Sequence, residues 1–330
     1  MGRSAVEEQV RHTAPDALSN LVAVLELVAD GQVRCNTATR RPLATTVKLV
    51  EDVLVAGDYY DAGEPIAAHA WPVLLQGGGL ARLAGTELEL TPRGEEALAR
   101  PGYERLGELW ARWLKHVSFD ELARIELIKG QRKPATLTSA TKRRAAVTAA
   151  LTALEPGAWA DIELVWQVLQ TEDAPLHVVR NMLALWRLYI GDAYYGSLGH
   201  AGEKARDIVE GRYALCVLFE YAATAGLIDV TYTEPCGARD DYRFLPGAGD
   251  LAFLSRYDGL LAVRVNELGD AILRDPAAVP AISLPVPRVD GAIDTLGRAP
   301  AGGEGASRRS GAGGAGRGSP ARSGPAATCR

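Results

Sequence analysis

Residues 71–98 constrain this chain more than any other stretch. An apolar run of Trp71, Val73, Leu74 and Leu75 meets Gly77, Gly78 and Gly79. Leu80 and the alternating Leu88, Glu89, Leu90 follow, and Thr91, Pro92, Arg93 and Gly94 precede a new helical pattern. Glycine ends helices because it reaches left-handed backbone angles without a Cβ clash. A period of two marks a half-buried strand, and a threonine cap followed by proline suits a first helical turn. The order predicted is helix, stop, two short antiparallel strands, helix. A second copy lies far downstream. Leu215, Val217, Leu218, Phe219 and Tyr221 lead to Gly226, Leu227 and Ile228, and a closing strand of Ala262, Val263, Arg264 and Val265 runs into Asn266, Glu267, Leu268 and Gly269. Residues 91–94 and 266–269 share one spacing.

Upstream of the first copy, Asp16 can cap a helix whose Leu18, Leu21, Val22, Leu25 and Val28 form one stripe, ended by Gly31. A second helix runs from Thr45 or Thr46 through Val47, Leu49, Val50, Val53 and Leu54, and a third over 65–76. Three helices and a two-strand wing make a winged helix. The second copy has an alanine-rich helix over 141–154, broken by Pro156 and Gly157. Helices bearing Trp159, Ile162, Leu164, Val165, Trp166 and Leu169, then Met182, Leu183, Leu185, Trp186 and Leu188, come next. A loop over 191–202 holds Tyr194 and Tyr195, and a helix over 212–225 follows, with strands near 229–233 and 261–265. The intervening 234–257 is longer than an ordinary wing and reads as an elaborated hairpin.

The fold class expected is therefore mainly α with small antiparallel β wings, an α+β protein of two winged-helix units joined by helices. Its predicted parts are a flexible N-terminus (1–16), a first unit with connecting helices (17–128), a basic linker (129–140), a second unit (141–280) and a disordered tail (281–330). The tail is rich in Gly, Ala, Pro and Arg and has no lysine. Such a composition buries no core; it is equally what GC-rich DNA yields when read out of frame, so a native basic tail and a frameshifted or truncated end are both compatible with it.

The formal charge is −5, unevenly spread. Residues 297–330 hold six arginines and one acid, Glu304, a local +5 that leaves −10 on residues 1–296. A body this acidic contacts polyanions only through a local patch. No apolar run approaches the ~20 residues a bilayer span needs, and the N-terminus lacks a signal-peptide pattern, so a cytoplasmic protein without a membrane partner is expected. Cys35, Cys216, Cys236 and Cys329 form no CxxC pair, which points to reduced thiols, with Cys216 in the core.

Catalytic motifs are absent from the sequence. Gly77, Gly78 and Gly79 are followed by no Lys-Ser/Thr, as a phosphate loop requires. His12, His69, His116, His177 and His200 lack metal-ligand spacing, and there is no GxSxG. His69 reads as a satisfied interior histidine. Asp240 and Asp241 offer an acid and a base, but Arg239 and Arg243 beside them point to surface ion pairs. A non-enzymatic protein with no cofactor and no metal is expected.

A winged helix that reads base edges needs Arg, Lys, Asn or Gln on its third helix. The first copy has only His69 and Gln76 there, the second Arg212 and Glu220. Both helices are apolar nearly all round, as buried elements are. The candidate nucleic-acid residues are therefore phosphate-contacting: Arg34, Arg40, Arg41 and Lys48 in the first unit, and Lys129, Arg132, Lys133, Lys142, Arg143 and Arg144 in a stretch without acids.

Gly31, Val33 and Arg34, then Thr39, Arg40, Arg41 and Pro42, the tryptophan-bearing helix and the closing Leu90, Thr91, Pro92, Arg93, Gly94 together resemble helicase-associated winged-helix regions related to the N-terminal part of XPB-type helicases. Leu227, Ile228, Leu268 and Gly269 look similar, so the resemblance spans roughly 17–280. It implies an accessory module that positions or regulates a DNA-handling machine, with DNA and a helicase or other DNA-handling protein as partners. The Walker lysine motif is missing, so ATPase activity does not carry over. Two further readings stay open: a protein-interaction adaptor that never touches nucleic acid, and a ligand-responsive regulator, which requires an internal pocket.

Overall fold

A computed structural model describes residues 8–60, 63–132, 135–171, 175–274 and 279. The tail expected over 281–330 lies outside the described residues. The chain is α+β: helices predominate, with one four-stranded and one two-stranded antiparallel sheet. Among the described residues no helix is long and apolar enough to cross a membrane.

The first half runs α1 (Ala14–Ala29), α2 (Ala44–Val53), α3 (Ala67–Gly77), β2 (Ala81–Ala84), β3 (Glu87–Leu90) and α4 (Pro92–Ala99). Pro15 sits in the first turn of α1 and left-handed Gly31 follows its end. A single antiparallel bridge, Arg34 to Glu87, lays a third short segment on the wing. The second half repeats the order: α6 (Ala140–Ala153), β4 (Trp159–Asp161), α7 (Ile162–Thr171), α8 (Glu203–Cys216), β5 (Ile228–Tyr232), β6 (Leu260–Val265) and α9 (Glu267–Arg274). Between the halves lies α5 (Tyr103–Trp113), then a 3-10 turn over Glu121–Arg124.

The repetition extends to individual hydrogen bonds. Left-handed Gly79 and Gly226 follow the third helix of each half. Leu80 N–H donates to Leu75 O (2.9 Å), and Leu227 N–H to Ala222 O (3.0 Å). Thr91 Oγ1 donates to Gly79 O (2.8 Å) and accepts from Gly94 N–H (3.2 Å); Asn266 Nδ2 donates to Gly226 O (3.0 Å) and its Oδ1 accepts from Gly269 N–H (2.9 Å). Both cap glycines are sterically required, because a Cβ would lie 2.1 Å from Leu80 O at Gly94 and 1.8 Å from Leu227 O at Gly269. The shared spacing in the sequence is thus one cap built twice.

Four departures from the sequence reading concern local structure. The third helix starts at Ala67 rather than residue 65, and the helix expected over 182–188 is a 3-10 turn, Met182–Arg187. The helix expected over 212–225 begins earlier, at Glu203, and continues past Cys216 into a wider π turn, Val217–Ala222. The N-terminus, expected to be flexible through residue 16, is built in from residue 9: β1 (Gln9–Arg11) pairs with β5, giving the sheet order β1-β5-β6-β4. Thr13 ties the start of α1 to the second half, donating from N–H to Asp229 Oδ1 (3.0 Å) and from Oγ1 to Ile228 O (2.6 Å). Residues 1–7 lie outside the described set.

The two halves share one apolar core. All of α3 is buried, and so are the end of α8 and the π turn after it. At the seam sits Glu220, wholly buried, bonded to Arg124 Nε through both oxygens (2.9 Å each), to His69 Nδ1 (3.2 Å) and to the Tyr257 hydroxyl. Burial by itself raises this carboxyl, but Arg124 and then His69 outweigh it and hold it well below the usual range. A carboxylate only accepts, so a neutral His69 donates its Nδ1 proton. His69 is the satisfied interior histidine expected from the sequence.

Burial, and next the charge of Arg124, lower the His69 pKa from 6.5 to about 4. The unfolded chain therefore takes up a proton at this residue in a window where the folded chain does not, and stability falls as pH drops from 6.5 towards 4. The thermal midpoint is expected to decline across that window, and His69→Gln to flatten the decline. An identical pH profile in His69→Gln would refute this.

Candidate nucleic-acid interface

The structure divides the predicted phosphate-contacting residues sharply. Arg143 and Arg144 lie in the first turns of α6 but point inward, 1% and 0% exposed. Arg143 forks onto Asp120 (2.9 and 2.6 Å) above the Tyr213 ring. Arg144 pairs with Glu121 (Nε to Oε1, 2.8 Å), donates to the carbonyls of Trp113, His116 and Phe119, and lies over the Trp113 ring. Fork geometry on Asp120 for Arg143, and a filled set of acceptors for Arg144, make these two structural staples. Their assignment as phosphate contacts is corrected: no charge is left to meet a phosphate.

Lys48 is exposed on α2, but Glu51 (3.3 Å) and Asp52 (2.8 Å) neutralise it locally. Arg34 and Arg40 are exposed and Arg41 half-buried around the loop before α2, and none has a carboxylate within 4.0 Å among the described residues. Lys142 is exposed at the start of α6. Lys133 lies outside the described residues.

Lys129 and Arg132 are the informative pair. Their segment was expected to be a linker, yet its described residues are knitted into the second half. Lys129 and Tyr189 exchange backbone hydrogen bonds (2.8 and 3.2 Å), and Gly130 adopts a left-handed φ of 85° where a Cβ would strike Arg187 O at 1.8 Å. Gln131 Nε2 donates to the carbonyls of Leu122, Ile125 and Ile128. Further along, Leu137 bridges Val179, and Arg180 Nε donates to Leu137 O (2.8 Å). Both Lys129 and Arg132 are exposed, and neither has a carboxylate within 4.0 Å among the described residues.

This pairing brings the basic segment beside an aromatic loop that the sequence reading did not single out. Trp186 is 51% exposed, Tyr194 78% and Tyr195 79%, with Leu183 exposed nearby in the chain. Trp186 had been assigned to an apolar helix; in the 3-10 turn its ring points outward, against Gly199 and edge-on to His200 (4.8 Å, 73°). Asp192 Oδ1 accepts from the N–H groups of Tyr194 (2.8 Å) and Tyr195 (2.9 Å), and these bonds lower its pKa. The signal that was legible is the Tyr194-Tyr195 pair inside a glycine-bounded loop.

The acid-base candidates resolve differently from expectation. Asp241 pairs with Arg212, not with its neighbours, while Arg239 donates to Asp258 O (3.0 Å) and Leu260 O (2.7 Å), and Arg243 donates to Gly249 O (2.9 Å). Arg212 also contacts buried Asp258 (2.8 Å). Between α7 and α8 there is a cavity of about 200 Å³ with an apolar floor of Val165, Leu169, Leu215 and Leu218. No group of three or more His, Cys, Asp or Glu placed to hold a metal occurs among the described residues. Cys35 and Cys216 are buried free thiols; burial pushes Cys35 up to about 12, which makes it a poor nucleophile.

Compared with known proteins, the chain matches no family model, no curated protein and no solved structure.

Proposed function

We propose that the chain is a non-enzymatic module of two winged-helix units that associates with nucleic acid through sequence-independent phosphate contacts, as an accessory to a DNA-handling machine. The observation that carries this reading is Lys129 and Arg132. On a body of net charge −10, they are exposed cations without carboxylate partners among the described residues, held on a paired backbone beside outward-facing aromatics. Placed positive charge is all that phosphate binding requires. Supporting the architecture is the order of three helices, hairpin and capped helix that occurs twice, with β4 in the second half standing where the first half has the single Arg34–Glu87 bridge. Base reading by the third helices is not part of the proposal, because α3 and the π turn after α8 are buried.

That same burial favours the adaptor reading, in which the unit surfaces serve a protein partner. A salt titration separates the two. In the full chain, Lys129→Glu/Arg132→Glu is expected to weaken DNA binding at low salt and to reduce the slope of log K against log salt by about 2, roughly one per lost phosphate contact. The arginine-rich tail is common to both proteins and cancels in the comparison. Equal affinity and slope in parent and variant would remove this face as the site and leave the adaptor reading.

A further inference from the structure

We propose that the nucleic acid received at this face is single-stranded, with bases stacking on Trp186, Tyr194 and Tyr195 while Lys129 and Arg132 meet the backbone. This rests on the reading above and adds the form of the nucleic acid. A folded protein gains by burying aromatic rings, yet here three within ten residues are more than half exposed. They are also pre-positioned rather than loose.

One side of the Trp186 ring is covered, since a Cβ on Gly199 would stand 2.2 Å from it, and His200 meets it edge-on. The Tyr194 and Tyr195 rings sit edge to face at 5.1 Å and 86°, on backbone fixed by Asp192. His200 Nε2 reaches Tyr194 O at 3.4 Å, which links the tryptophan side of the pad to the tyrosine side. Ser197 Oγ donates to Trp186 O (3.2 Å), and Tyr189 bridges Ser197 as well as Lys129, so pad and basic segment belong to one paired backbone unit.

The chemistry selects the ligand. Duplex bases are already stacked on one another and present mostly phosphates and groove edges. Unpaired bases offer free π-faces that stack on aromatic rings without regard to sequence, while cations follow the backbone. A duplex uses Lys129 and Arg132 but has nothing to place on three outward rings.

The test is anisotropy titration of the full chain with labelled oligothymidylate and with a duplex of equal phosphate count, for the parent, Trp186→Ala/Tyr194→Ala/Tyr195→Ala, and the same three positions changed to Phe. Expected is tighter binding of the single strand by the parent and its loss by about tenfold or more in the alanine protein, since one stacked base is worth roughly 5- to 150-fold. Duplex affinity and the salt slope should be unchanged by that substitution, and the phenylalanine protein should keep the single-strand preference. The parent and the phenylalanine protein should melt together, while the alanine protein, which gives up the contacts of Trp186 with Gly199 and His200, should melt slightly lower but still in one cooperative transition, fully folded at the titration temperature.

If the parent binds both forms alike, or the alanine protein keeps its preference, the stacking proposal is wrong while phosphate binding through Lys129 and Arg132 survives. If the parent binds neither form at low salt, both fall and the aromatic pad belongs to a protein partner.

Discussion

Arg124→Met is expected to lower the free energy of unfolding by about 3–5 kcal/mol, the cost of leaving a buried carboxylate without its countercharge. Glu220 would keep only His69 and Tyr257, deep in the seam between the halves. Losing Arg124 also removes a repulsion that holds the His69 proton off, which raises the folded His69 pKa from about 4 towards 6.5, so the stability decline on acidification below pH 6.5 should end sooner and shrink, or vanish. Adding Glu220→Met to Arg124→Met should recover part of the loss, because a packed apolar pair in place of a buried ion pair is often near neutral. Urea unfolding of the single and double variants checks this. A single variant as stable as the parent, or a double no better than the single, would show that the seam is not held electrostatically.

Trp113→Ala is expected to cost about 3–5 kcal/mol, in the range for deleting a large ring from a packed core. The Trp113 side chain is fully buried. It stacks on Tyr221 from the second half (4.8 Å, 19°) and lies against Trp110 (4.7 Å). It also lies so close to the end of α3 that a Cβ on Gly77 would come within 2.8 Å of its ring. Arg144 sits over the ring as well, so the deletion loosens the staple on Glu121. Because Trp113 touches both halves, far-UV dichroism and tyrosine-tryptophan fluorescence should still report one coincident transition at lower denaturant. A loss under about 1 kcal/mol, well below what a core cavity costs, would mean that the site refills or is not core.

These interactions explain why the legible part of the sequence ended where it did. The doubled cap at residues 91–94 and 266–269 was readable because each bond spans only three residues, and threonine or asparagine followed by a close-packed glycine leaves a local signature. The interior His69 was readable for a similar reason: a run of apolar neighbours on its own helix marks a buried element. Arg143 and Arg144 were misread because a run of basic residues looks alike whether solvated or buried. Their partners Asp120 and Glu121 are 23 residues away, across a turn that no local pattern places. The pairing of Lys129 with Tyr189, which ties an apparent linker into the folded second half, spans a still longer gap.

What the sequence determined by itself is the set of short-range units: which segments are helical, where glycine stops them, and that one cap recurs at matching places in two halves. These follow from backbone sterics and bonds between near neighbours, which composition and spacing record directly. Tertiary structure alone decided which charges and rings remain available. Docking the halves buried α3 and the end of α8 with its π turn, locked Arg143, Arg144 and Glu220 inside, and sewed residues 9–11 into the far sheet. The same docking left Lys129, Arg132, Trp186, Tyr194 and Tyr195 facing water. The physical reason is that burial and charge pairing belong to contacts between segments remote in the chain, so an arginine becomes a staple or a surface cation only when those segments meet.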